Sequence, residues 1–271
     1  MTLLNSEVSI SPSRNLPRKC FEMYDLINFT QENMHRCALD IRSTSSHATS
    51  MEEVANRIVR YLYQNCIDPQ TGNPACALVR LFKTHPYKEL PTELQEAARG
   101  ILKGDSIAQP TKCLTLMATA GDELQWNSRD GSTGHKAIPL VNEDFVKNIP
   151  MISRLIQQFG LEITTVLEPM PGLLIDSDRK IHSTFIFHVP TALGSQYIPA
   201  QTEFVIPYQI KSVLGFGGLL PSGNLYVVLM FVKNFVPQET ASLFKWISTY
   251  TWVALTSFDK TNIFTKSGLQ A

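Results

Sequence analysis

No apolar run in this chain approaches the ~20 residues that a membrane-spanning helix requires; the longest, such as residues 225–232, stop far short. No bilayer span is expected. Charge of one sign is also missing, since 24 Lys and Arg stand against 24 Asp and Glu, and no overall field draws the chain to nucleic acid or an anionic membrane. Any partner has to be recognised locally. The five cysteines, Cys20, Cys37, Cys66, Cys76 and Cys113, are odd in number and contain no C-x-x-C pair, which argues against a disulfide framework or a structural zinc knot. They read as reduced, mostly buried residues that behave as small apolar groups. Residues 1–15 are polar and serine-rich and lack the apolar core of a secretory signal, so a cytoplasmic location is the default.

Catalytic patterns are equally scarce. Among the histidines (His35, His47, His85, His135, His182 and His188) there is no H-x-x-x-H pair, and His182 and His188 would stand about 20 Å apart along one strand face. No metal site is expected. Serine nucleophile elbows, paired carboxylates and zinc-protease helices are missing. Gly215-Phe216-Gly217-Gly218 looks superficially like a phosphate loop, but an apolar strand and a hairpin follow it where a helix N-terminus would be needed. Those glycines suit a bulge or a close approach of helix or ligand. The chain is expected not to be an enzyme, and no residue set specifies a cofactor.

What is present is concentrated in residues 204–256. Apolar runs at 213–220 and 225–232 flank Pro221-Ser222-Gly223-Asn224, a hairpin whose strands lack polar alternation and so are covered on both faces. From Pro237 onward, Leu243, Phe244, Ile247, Tyr250 and Ala254 recur at three- and four-residue steps, giving a helix with an apolar face for that sheet. Earlier in the chain, Ser50-Met51-Glu52-Glu53 is a capping box that opens a helix over 51–66. Residues 76–83 and 113–120 read as strands, 91–102 as a helix, and 142–160 as a helix broken near Asn148 with a second part starting at Pro150. Strands are also expected over 163–167, 183–189 and a short run ending Val205-Ile206-Pro207. In the second of these, Thr184, Ile186 and His188 share a face. Residues 1–18 read as a disordered arm, 19–49 as an N-terminal helical extension, 50–258 as one folded domain and 259–271 as a tail. This order favours an α+β fold around a central antiparallel sheet.

The element order resembles the GAF family of bacterial small-molecule sensor domains, on the capped helix 51–66, the strands 76–83 and 113–120, and the closing run of proline-ended strand, glycine-bearing strand 211–216, turn, strand 225–233 and helix 237–258. The chain is similar to sensory portions found beside histidine kinases, cyclases and phosphatases in cyanobacteria and other bacteria. The resemblance implies about six antiparallel strands, helices on one face, a ligand pocket on the other, and dimerisation through the first and last helices. Two family ligands are not supported. The Asn-Lys, Phe and Asp-Glu set of cyclic-nucleotide binders cannot be placed, and no cysteine precedes a histidine as in bilin attachment. The thiol-based reductase role known in some GAF proteins would need Cys76 and Cys113 to meet across the sheet.

The expected function is a sensory or regulatory module that binds a small molecule, aromatic or tetrapyrrole, beside the sheet, with Trp126, Arg129, His188, Tyr197, Tyr208 and Phe216 around it. Trp126 and Arg129 lie in the polar loop 121–136, which is either a lid or recognition element or a surface loop whose tryptophan packs on a neighbour. The alternatives are a ligand-free domain that mediates dimerisation or docking, and a haem or tetrapyrrole sensor with His188 or His135 as an axial ligand. Expected partners are the small molecule and either a second copy of the chain or a separate signalling protein.

Overall fold

The computed structural model describes residues 23–168 and 184–265. The expected arm over 1–18, Cys20, His182 and most of the loop before the strand at 183 lie outside the described residues. Six strands form one sheet: β1 (Cys76–Pro86), β2 (Lys112–Gly121), β3 (Ala137–Leu140), β4 (Thr184–Val189), β5 (Ser212–Leu219) and β6 (Leu225–Val232). Their order is β3-β2-β1-β6-β5-β4, and every neighbouring pair is antiparallel. The hairpin β5–β6 sits inside the sheet, and all sixteen of its strand residues are buried. That is why its sequence lacks polar alternation.

On one face lie α1 (Gln31–Ser43), α2 (Met51–Asn65) and α7 (Gln238–Thr256). Thr30 and Asn33 form a reciprocal cap for α1. At α2 the Ser50 hydroxyl accepts the Glu53 N–H at 3.1 Å, but the Glu53 carboxylate accepts from the Thr49 N–H at 2.8 Å, one residue further back than the capping box predicts. Tyr226, Val228 and Met230 of β6 join Phe216 of β5 and Phe244 and Ile247 of α7 in this core. On the other face lie α4 (Glu143–Lys147), α5 (Pro150–Gln158) and α6 (Ile163–Leu167), over Leu78, Phe82, Leu116, Val227, Leu229 and Phe231. A third, smaller group around α3 (Thr92–Ile101) holds Tyr87, Leu94, Cys113 and Ala137.

The sequence reading is corrected at three elements. Residues 163–167 are one helical turn, since Gly160 at φ 66° ends α5 and the next turn closes through Glu168 N–H to the Thr164 carbonyl at 2.8 Å. The β-branched composition suggests a strand, yet among the described residues no strand pairs with it. Residues 201–205 form a π-type turn in place of the expected proline-ended strand, with Val205 N–H reaching Ala200 and Ile206 N–H reaching Gln201. Gln201 fixes it, its amide donating to the carbonyls of Ala192 and Ile198 and accepting from the Gly194 N–H. The edge strand β3, four residues with a central proline, was not foreseen.

Candidate functional site

A cavity of about 550 Å³ opens between the sheet and the layer of short helices and loops. Its floor is laid by alternation: Leu78, Arg80 and Phe82 of β1 and Leu225, Val227, Leu229 and Phe231 of β6 point to it. Val79 and Leu81, and Tyr226, Val228 and Met230, face the helices instead. Ile152, Leu155 and Ile156 of α5, Val166 of α6 and Ile138 and Leu140 of β3 make the walls. Pro199, Ala200, Glu203 and Phe204, carried by the π-type turn and the residues before it, complete the rim with Trp126 and residues 133–135. Polar lining groups are few, namely Arg80, Thr133, His135 and Glu203.

Trp126 is held from several sides. Its ring lies 4.6 Å from that of Tyr208 and 5.7 Å from that of Phe204, and Phe204 meets Phe231 at 4.9 Å. This aromatic row ties the loop to the sheet. Gly121 makes room for it, because a Cβ there would stand 2.9 Å from the indole and 2.8 Å from the Ala77 carbonyl. Asn127 clamps the loop by donating to the carbonyls of Gly121 and Glu123, both at 2.9 Å.

Of the six residues singled out from sequence, Trp126 lines the cavity and the other five are placed elsewhere. Tyr208 stands behind Trp126 with its hydroxyl on Glu123 at 3.1 Å. Tyr197 lies under the Arg154 guanidinium at 5.0 Å. Arg129 turns away to α2 and α3, pairing with Glu52 at 2.7 Å and Glu93 at 3.1 Å. His188 shares the helix-facing side of β4 with Ile186, and its ring lies against Gln238 at 2.9 Å and the Val236 carbonyl at 3.1 Å. Phe216 is buried against Phe244 on that same side, whereas its neighbours Gly215 and Gly217 face the cavity layer.

The residue that sequence reading passed over is Arg80. Its Nη2 donates to the Ser132 hydroxyl at 3.1 Å. Burial pulls its pKa down to about 10, because desolvation disfavours the charged form. His135, at the mouth with φ 60°, is exposed as a residue, yet partial desolvation and then the Arg80 charge lower its pKa. The four described cysteines are buried and free, and none lines the cavity. Burial raises all four thiols, Cys113 to about 12, so none is a ready thiolate. Cys76 pairs with Val232 while Cys113 pairs with His85, which puts the two at opposite ends of β1, roughly 30 Å apart at strand rise. Among the described residues no group of three His, Cys, Asp or Glu is placed to hold a metal ion, and no helix is long and apolar enough to cross a membrane.

No protein-family model matches the chain, and no curated protein does. Solved structures similar to it include a free methionine-R-sulfoxide reductase from Neisseria meningitidis in complex with its substrate, at 9% identity and a TM-score of 0.46 over 88% of this chain and 97% of that one. A phycoerythrobilin-bound GAF domain from a cyanobacterial phytochrome is similar at 10% identity and a TM-score of 0.38, over 86% and 97% of the two chains. The photosensory core module of the Stigmatella aurantiaca phytochrome is similar at 9% and 0.39, over 83% of this chain and 37% of that one. These are likenesses of fold alone. Six antiparallel strands with α1, α2 and α7 on one face and a cavity under short helices and loops on the other give this chain a GAF-like α+β fold.

Proposed function

We propose that the domain is a sensory or regulatory module in which a small, largely apolar molecule occupies the cavity and biases the packing of α7 on the opposite face of the sheet. The observation that supports this most is the cavity itself, about 550 Å³ with apolar walls and a few polar groups, since small-molecule sites commonly measure roughly 300–1,000 Å³ and are built this way. The path to α7 is short. Val227 and Leu229 form the floor while Val228 and Met230, between and beyond them, pack on the helix side. The Tyr226 hydroxyl meets the Ser248 carbonyl at 2.8 Å, Ser248 donates to the Gly217 carbonyl at 2.8 Å, and the Trp252 indole donates to Leu219 at 2.8 Å. A ligand shifts α7 only if it binds two packings of that helix unequally. In this reading the chain binds and reports; it does not catalyse.

Titration of the full chain with the neutral probe 2-naphthamide tests the proposal, with Leu229→Trp as the variant that fills the cavity from its floor. Wild type is expected to bind and to unfold at a higher temperature with the probe, and the variant to keep its circular dichroism but bind at least about tenfold more weakly. Absence of binding, or equal binding by both proteins, overturns the reading. A second reading, docking or self-association without ligand, is favoured by Trp246 and Val253 on α7 and Leu39 on α1, which are 59%, 42% and 54% exposed. Sedimentation of wild type against Trp246→Glu separates the two readings, because a monomer at all concentrations removes self-association.

A further inference from the structure

On the cavity floor one charged side chain interrupts an otherwise apolar surface. Arg80 has no carboxylate within ion-pair distance among the described residues, and its Nε–H is buried with no acceptor. Directly across the β1–β2 ladder stands Thr119, fully buried, its hydroxyl also without a partner. Glu203 lines the rim but is exposed and makes no ion pair with Arg80. A partly buried cation whose counter-charge is missing works against folding, and the bond to Ser132 is one that a neutral donor could supply.

We propose, building on the small-molecule reading above, that the ligand is an amphipathic monocarboxylate whose planar head lies against the Arg80 fork and whose apolar body rests on Phe82, Leu229 and Trp126. The guanidinium edge matches a carboxylate in shape and charge. The described lining contains this arginine and no lysine, a supply of positive charge suited to one negative charge and not to a phosphate dianion.

The experiment compares 2-naphthoate with 2-naphthamide, which has the same shape without the charge, by calorimetric titration of the full chain and its Arg80→Met and Arg80→Lys variants. Wild type is expected to bind the carboxylate at least about tenfold more tightly than the amide. Arg80→Met is expected to bind the two probes with equal affinity and to be no less stable than wild type without ligand; Arg80→Lys, which keeps charge but loses the fork, should show an intermediate preference. Equal affinity of wild type for the two probes, or a preference that survives Arg80→Met, overturns the inference while leaving the small-molecule reading intact. Failure of both probes to bind ends both. An Arg80→Met chain that does not fold also counts against it, because the charge would then be structural.

Discussion

At Gly217 a missing methyl group sets how closely two layers approach. A Cβ there would lie 2.2 Å from the Tyr226 carbonyl oxygen and 3.2 Å from the Phe159 ring. Gly217→Ala is therefore expected to lose about 2–3 kcal/mol of unfolding free energy by overpacking. Gly100, in α3 with nothing within 4 Å of its would-be Cβ, should gain roughly 0.5–1 kcal/mol when changed to Ala; urea denaturation of the two variants reads both signs. Which side chains face the cavity was legible only in part. Period two puts Phe216 on the face opposite Gly215 and Gly217, and His188 beside Ile186, but alternation does not say which of the two faces borders the cavity. Arg80 had no such signal. In Ala-Leu-Val-Arg-Leu-Phe it reads as one more large group in a strand, and only the cavity and its missing partners single it out. Trp126 was reachable because an indole in a polar loop needs an apolar neighbour from elsewhere in the chain.

Among the elements, the loop 121–136 depends on Asn127, whose amide satisfies backbone groups that no strand or helix covers. Asn127→Ala is expected to cost about 1–2 kcal/mol and to raise the solvent exposure of Trp126, read as a red shift in its fluorescence. The end of α7 is fastened in a similar way. Asp259 accepts from the N–H and hydroxyl of Ser222 at 2.7 and 2.8 Å and stands 3.7 Å from Lys83. Replacing it by Ala leaves a fully buried ammonium without its counter-ion, so Asp259→Ala should cost several kcal/mol, about 3–5, with hydrogen exchange rising at the β5–β6 turn and at the end of α7. The long periodic elements, α2, α7 and the central hairpin, were readable because each carries many turns or pairs of the same pattern. The short ones were not. In β3, α6 and the π-type turn, four or five residues take the shape that a neighbouring strand, a glycine stop or the Gln201 amide imposes.

For the molecule as a whole, two cores share one sheet, and a buried basic cluster at its end makes stability depend on pH. His85 is fully buried near Lys83 and Lys112, and desolvation, then those charges, hold its pKa well below the usual value. Below about pH 6.5 the unfolded chain takes up a proton that folded His85 refuses, so unfolding free energy falls as the solution is acidified. Burial lowers Lys83 to about 8, with Asp259 opposing. Between that value and the usual 10.5 the unfolded state holds more of this proton, so Lys83 adds stability as pH rises, while the four buried thiols, raised above the usual 9, act in the opposite sense. Denaturation midpoints should be lower at pH 5.5 than at pH 7, and His85→Leu should flatten that acid limb; a higher midpoint at pH 5.5 contradicts the assignment.

Strand β6 is a single ribbon with two faces, odd positions turned to the hollow and even positions to the helical layer. Under the proposed function, specificity and output are thus written in interleaved letters of one word. Recognition would be re-spelled at Val227, Leu229 and Phe231 without editing the response, while loss or gain of one residue there exchanges the two alphabets and erases both meanings together.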